Sequence, residues 1–202
     1  MGKARELTKA RHGIIRVLDC VVGLGEVRQT VIILMGVAGS GKTTVGRLLA
    51  SEMQWPFYDG DDLHPTSNIE KMKRGIALSD SDREPWLDAV RELIVELLRQ
   101  GKSGIVACSA LKKNYRDRLL IDERVELVHL KGDFDLMRER LKHRSGHFMA
   151  PELLRSQFET LEEPEDALDV DVSLSPHALV DSIRDRLQLS DEQRDRWQNK
   201  LS

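Results

Sequence analysis

Gly36-Val37-Ala38-Gly39-Ser40-Gly41-Lys42-Thr43 follows directly on the apolar run Val31-Ile32-Ile33-Leu34-Met35, and these thirteen residues decide the fold. The octet satisfies G-x-x-x-x-G-K-[ST] at every constrained position. Glycines let a chain bend around an anion and present backbone N–H groups to it with no side chain in the way. Val45, Leu48 and Leu49 then fall at helical spacing, so a helix beginning near Gly41 adds its positive dipole end. Lys42 is placed to reach the β- and γ-phosphates of a nucleotide, and the Thr43 hydroxyl to hold Mg²⁺. The loop and the adjoining Thr44 thus read as an ATP cradle. The bland alternative is an ordinary glycine-rich turn, but an apolar strand before and an amphipathic helix after are the context a phosphate loop requires.

An unbroken apolar pentad is what a central parallel strand looks like when both its faces are covered. Downstream, residues 55–58 form a second strand, with Pro56 at its start because proline cannot donate to a ladder. Residues 60–84 carry many charges and little periodicity, as befits a substrate-binding excursion. The clearest helix spans 82–100, with Pro85 in its first turn and Leu87, Val90, Leu93, Ile94 and Leu97 on one face. Further strands fall at 104–108, 125–130 and 170–174, and helices at 112–120, 133–143, 152–159 and 176–187. This alternation predicts an α/β fold of three layers around a five-stranded parallel sheet with right-handed crossovers.

The chain has 202 residues, a single-domain length. It is 40% hydrophobic and 32% charged, too apolar for a disordered chain and too charged for a membrane protein. Its net charge of −3 is not that of a bulk nucleic-acid binder. Cys20 and Cys108 have no metal-ligand spacing, and a reducing cytoplasmic compartment is expected. The domain is expected over 31–188. Residues 1–30 read as an appended arm: the stretch 17–24 is short and broken by Asp19, unlike a secretory signal, and three acids with no serine are unlike a transit peptide. Residues 189–202 read as a polar tail, with Ser190-Asp191-Glu192-Gln193 resembling a capping box.

The phosphate loop fixes a nucleoside triphosphate and leaves the reaction open. No Asp is followed by Gly three positions later, and Asn199-Lys200 lacks the aspartate that reads guanine, so a GTPase switch loses support. Asp59-Gly60-Asp61 ends the second strand, which is expected beside the phosphate loop; in an extended segment both carboxylates face one site. Phosphoryl transfer needs one carboxylate at the metal and another to orient or deprotonate the attacking hydroxyl. An Asp-Gly turn is the plain alternative. The third strand ends in Cys108, not Asp, so Asp59 is the candidate to join Thr43 at the metal, and Cys108 reads as a buried strand residue.

Several further blocks resemble the gluconokinase family: Asp59-Gly60-Asp61-Asp62-Leu63-His64-Pro65, Asn68-Ile69-Glu70-Lys71-Met72, and Leu78-Ser79-Asp80-Ser81-Asp82-Arg83-Glu84-Pro85-Trp86. So do Cys108-Ser109-Ala110-Leu111-Lys112-Lys113-Asn114-Tyr115-Arg116-Asp117, Gly146-His147-Phe148-Met149 and Ser156-Gln157-Phe158-Glu159-Thr160-Leu161-Glu162. The resemblance covers residues 31–188. It implies phosphorylation of D-gluconate at its 6-hydroxyl by ATP, a fold like the shikimate and nucleoside-monophosphate kinases, and a homodimer. Alternatives are another small-molecule kinase of that kind, or a nucleotide-binding protein of the same fold without turnover.

The implied substrate is a polyhydroxylated carboxylate, which calls for a cation and polar groups. His64, Lys71, Arg83, Lys112, Lys113 and Arg116 lie in matching segments; His64, Lys113 and Arg116 come first. Asp61 is assigned to the attacking hydroxyl. The resemblance places residues 138–150 in a lid that closes over ATP, hinged at Gly146, with Arg140 and Arg144 clamping phosphates beside catalytic Lys42. A solvated basic face is the alternative there. Met72, Trp86 and Met137 read as core, and Phe148 as core or lid.

Overall fold

Val31–Met35 forms β1, and all five residues have no solvent exposure. They occupy the middle of the sheet in a computed structural model that describes residues 29–142 and 151–189. Strand alternation sends the two faces of β1 into separate cores. Ile32 and Leu34 pack with Val45, Leu49 and Met53 of α1 (Lys42–Met53) and with Leu179, Val180 and Ile183 of α7 (Pro176–Arg186). Val31, Ile33 and Met35 pack with Trp86, Val90, Ile94 and Leu97 of α3 (Asp80–Arg99) and with Tyr115 and Leu119 of α4 (Lys113–Leu119). These are the three layers expected.

The other strands are β2 (Phe57–Asp59), β3 (Gly104–Ala107), β4 (Val125–Lys131) and β5 (Leu168–Asp171). Every pairing is parallel, in the order β2-β3-β1-β4-β5. The order corrects one expectation, because β3 lies between β2 and the strand that carries the phosphate loop. What brings the tip of β2 to the loop is α1, which crosses over β3 and sets its N-terminus above Asp59.

Element boundaries shift for local reasons. The helix expected from residue 82 begins at Asp80, because Ser79 caps it: the Ser79 hydroxyl accepts the Asp82 N–H, and the Asp82 carboxylate returns to the Ser79 N–H at 2.9 Å. That reciprocal box overrides the placement of Pro85 in the first turn. The last strand starts and ends earlier than 170–174, because the Asp171 carboxylate accepts the Ser173 N–H at 2.9 Å and turns the chain. Residues 60–84 hold more order than expected: a 3₁₀ turn at Gly60–Leu63 and α2 (Thr66–Lys73) precede α3. The remaining helices are α5 (Phe134–Lys142) and α6 (Pro151–Thr160). Arg144, Gly146, Phe148 and most of the expected lid, the arm at 1–28 and the tail from 190 lie outside the described residues. No helix among the described residues is long and apolar enough to cross a membrane.

Candidate active site

The phosphate loop leaves β1 through Gly36, whose φ of +140° and position leave no room for a side chain: a Cβ would lie 2.8 Å from the Leu130 carbonyl oxygen. Val37 turns its side chain into the core, so only its backbone faces the loop's interior. Gly41, in the left-handed region, opens α1, and the first-turn amides of a helix have no intrahelical acceptor. Thr43 and Thr44 carry two of them, aimed where an anion sits. Lys42 Nζ donates to the carbonyls of Gly36 at 2.9 Å and Val37 at 3.0 Å, lying across the loop it would share with a phosphate. Ser40 is fully buried and its Oγ has no partner.

Asp59 joins this loop to the acids beyond it. Its Oδ2 accepts the Thr43 hydroxyl at 2.9 Å, and its Oδ1 accepts the Asp61 N–H at 3.2 Å. The two aspartates therefore do not share the face of an extended strand; Asp59 caps a 3₁₀ turn that carries Asp61. Gly60 permits the turn to press on β3, since a Cβ would lie 2.5 Å from the Ala107 carbonyl oxygen. A threonine hydroxyl and a carboxylate at this spacing are hard oxygen donors, a set that fits Mg²⁺.

Trp86, read from the sequence as core alone, has a second task. Its buried indole N–H donates to the Gly60 carbonyl at 2.6 Å, and its ring stacks on His64 at 4.5 Å between centroids. Burial pushes the His64 pKa below 6.5, with Arg83 acting in the same direction and Asp61 against it. Asn68, buried, donates to the Asp82 carbonyl at 2.7 Å and lies 3.4 Å from His64 Nδ1. Nothing in the period of the sequence marks either residue's contacts, because those of Trp86 depend on packing α3 against the 3₁₀ turn and those of Asn68 on packing α2 against α3.

The expected cations fall into distinct environments. Lys71 pairs with Asp82 at 2.6 Å; that bond and those from Ser79 hold the Asp82 carboxyl at about 2. Lys112 pairs with Asp80 at 2.8 Å, and Asp80 also accepts the Tyr115 hydroxyl at 2.5 Å, with Arg83 over the Tyr115 ring. Lys113 is exposed and pairs with Asp117 at 2.7 Å, one helical turn on. Arg116 is buried, donating to the carbonyls of Ala110 and Leu111 at 3.3 and 3.0 Å, where Ala110 sits at φ +43°. Arg140 donates to the Val172 carbonyl at 2.5 Å. Cys108 is buried as expected but lies one residue past the end of β3, its thiol pushed up to about 12 by burial. The structure thus gathers Gly36–Thr44, Asp59, Asp61 and His64 at the carboxyl end of the sheet, where open α/β sheets take ligands.

Comparison with known proteins agrees with this arrangement. The shikimate kinase family model matches residues 38–175. The chain is 45% identical over 157 residues to the thermoresistant gluconokinase of Escherichia coli, covering 75% of this chain and 90% of that protein. It is 42% identical over 178 residues to a probable gluconokinase of Mus musculus, covering 78% and 97%. Among solved structures, a gluconokinase from Sinorhizobium meliloti superposes with a TM-score of 0.70 at 38% identity, over 87% of this chain and 96% of that one. With a phosphate loop, a carboxylate held on its threonine and relatives of this likeness along most of its length, the chain belongs to the gluconokinase family, within the shikimate-kinase-like phosphate-loop kinases.

Proposed function

We propose that this chain transfers the γ-phosphoryl group of ATP to the 6-hydroxyl of D-gluconate, giving 6-phospho-D-gluconate and ADP. One observation carries the reading: Asp59 bonds the Thr43 hydroxyl with one oxygen and the Asp61 amide with the other, tying the nucleotide cradle to the acid that would aim an alcohol. The likeness to gluconokinases supplies the acceptor.

Phosphoryl transfer asks little covalent chemistry of a protein; positioning and charge stabilisation do most of the work. The backbone of Gly36 to Thr44 seats the phosphates, and Lys42 leaves the Gly36 and Val37 carbonyls to meet them. Thr43 and Asp59 would hold Mg²⁺, which would supply charge neutralisation to the phosphates. Asp61 accepts the proton of the 6-hydroxyl as the new P–O bond forms. Arg140 and Arg144 stabilise the charge on the transferring group, Arg140 exchanging its carbonyl partner for phosphate oxygens. Lid closure over residues 138–150 excludes water that would otherwise hydrolyse ATP.

The substrate's carboxylate and hydroxyls fall to His64, Lys71, Lys113 and Arg116. A neutral His64, held flat on Trp86, offers a hydrogen bond without a charge. Arg116 offers a guanidinium anchored at one nitrogen by two carbonyls, leaving its other N–H groups to face a carboxylate. The protein works in the cytoplasm as a homodimer, with neither nucleic acid nor membrane as partner.

A coupled ADP-release assay with gluconate, shikimate, AMP and no acceptor tests the assignment. Release that depends on gluconate is expected. Release with shikimate or AMP in its place contradicts the acceptor, and nucleotide binding with no acceptor-dependent release contradicts catalysis.

A further inference from the structure

Ala38 lies at the crest of the phosphate loop, and its N–H donates to Gln157 Oε1 at 2.7 Å, across 119 residues of chain. Gly39 packs against Met137 and Leu141 of α5, and other hydrogen bonds of the loop come from its own residues or from the strand ends beneath it. The Gly36 N–H donates to the Ser109 carbonyl at 3.3 Å, the Ser40 N–H to the Val37 carbonyl at 3.3 Å, and Lys42 spans the carbonyls of Gly36 and Val37. Gln157 alone among these reaches in from α6. That helix is well anchored: Leu154 is buried in the core, and Phe158 meets Phe134 of α5 edge to face at 5.5 Å. Just past its end, the Glu162 N–H donates to the Leu111 carbonyl at 2.9 Å, and its carboxylate accepts the Lys113 N–H at 2.5 Å. The C-terminal half of α6 thus holds the phosphate loop through Gln157, and the residue just past it, Glu162, holds the Leu111–Lys113 segment.

We infer that Gln157 is a positioning residue for the nucleotide: it fixes the Ala38 amide, and with it the curvature of the phosphate loop, against α6. The choice of side chain follows from electrostatics. An amide oxygen accepts the Ala38 N–H without placing a negative charge beside a triphosphate, whereas a carboxylate of equal length would accept the same bond and repel the ligand. The inference rests on the kinase reading and adds to it a residue that touches neither acceptor nor metal.

Gln157→Met keeps length and removes the acceptor; Gln157→Glu keeps the acceptor and adds charge. Titration calorimetry with MgATP on the full chain reads both. Gln157→Met is expected to weaken MgATP about fivefold, the worth of one neutral hydrogen bond, with an unchanged KM for gluconate. Gln157→Glu is expected to lose more affinity at low salt and to recover part of it as salt rises. Wild-type or tighter MgATP binding by Gln157→Met overturns the inference, tighter binding meaning that Gln157 occupies a seat the phosphate takes. An equal rise in gluconate KM, or a Gln157→Glu variant indistinguishable from wild type at every salt concentration, overturns it as well. The titration needs no acceptor, so a wild-type protein inactive on gluconate would refute the proposed function and leave this test readable.

Discussion

Replacing Trp86 by Phe separates the acceptor half of the site from the nucleotide half. The substitution keeps a ring in the core and removes one donor, the indole N–H that meets the Gly60 carbonyl at 2.6 Å. Gly60 is buried and pressed on β3, so its carbonyl loses a partner that water cannot readily replace, which costs about 1–3 kcal/mol. The smaller ring also thins the stack with His64, and aromatic pairs of this kind contribute roughly 0.5–1.5 kcal/mol. A total near 2–3 kcal/mol corresponds to a fall in Tm of about 4–12 °C for a chain of this size. The 3₁₀ turn carries Asp61 and precedes His64, while the phosphate loop hangs from β1 and α1. Calorimetric unfolding together with steady-state kinetics in both substrates measures the effect. We expect the lower Tm, a raised KM for gluconate and a reduced kcat, with MgATP affinity held within about twofold. An unchanged Tm, or a loss of MgATP affinity equal to the loss for gluconate, would refute the role given to the indole.

Asp61→Asn should lower kcat by about 10²–10⁴-fold while MgATP and gluconate still bind, as for loss of a positioned proton acceptor; near-normal turnover contradicts its role. Arg116→Lys keeps a charge but not the fork, and should raise the KM for gluconate by at least about tenfold with little change for ATP; equal changes count against a contact with the acid. His64 gives a pH signature. Its folded pKa lies below the unfolded value of 6.5, so the unfolded chain takes up the proton first as pH falls. The stability it contributes is present above pH 6.5 and lost as pH drops through the folded value. Thermal unfolding at about pH 7.5 and about pH 5.5 should therefore show a larger drop for wild type than for His64→Gln, and equal drops contradict it.

Much of the fold is written in local patterns. The pentad 31–35 is an apolar run of strand length bounded by glycine, the octet 36–43 is fixed by its glycines, Lys42 and Thr43, and the stripe along α3 carries a helical period. The order of the strands is not written there, because β2 and β3 trade places through packing that no short window holds. The same is true within the site. Asp59 and Thr43 announce themselves by residue type and spacing, whereas the link between them depends on α1 crossing the sheet. Trp86 is apolar enough to satisfy the core stripe, which conceals its bond to Gly60. Gln157 lies 119 residues from Ala38 in sequence, and a lone glutamine in a helix has no pattern that points to a phosphate loop. Ser79 and Asp82 did carry a readable sign, a capping box, and the proline three residues further on obscured it.

Phosphorus NMR of a mixture of this protein, MgATP and D-gluconate distinguishes transfer to the 6-hydroxyl from hydrolysis and from transfer elsewhere. The γ-phosphorus signal of ATP should give way to a phosphomonoester split by the two protons of a primary carbon, in step with the growth of ADP. Growth of inorganic phosphate alone, a monoester on a secondary carbon, or an unaltered ATP spectrum would contradict transfer to the 6-hydroxyl.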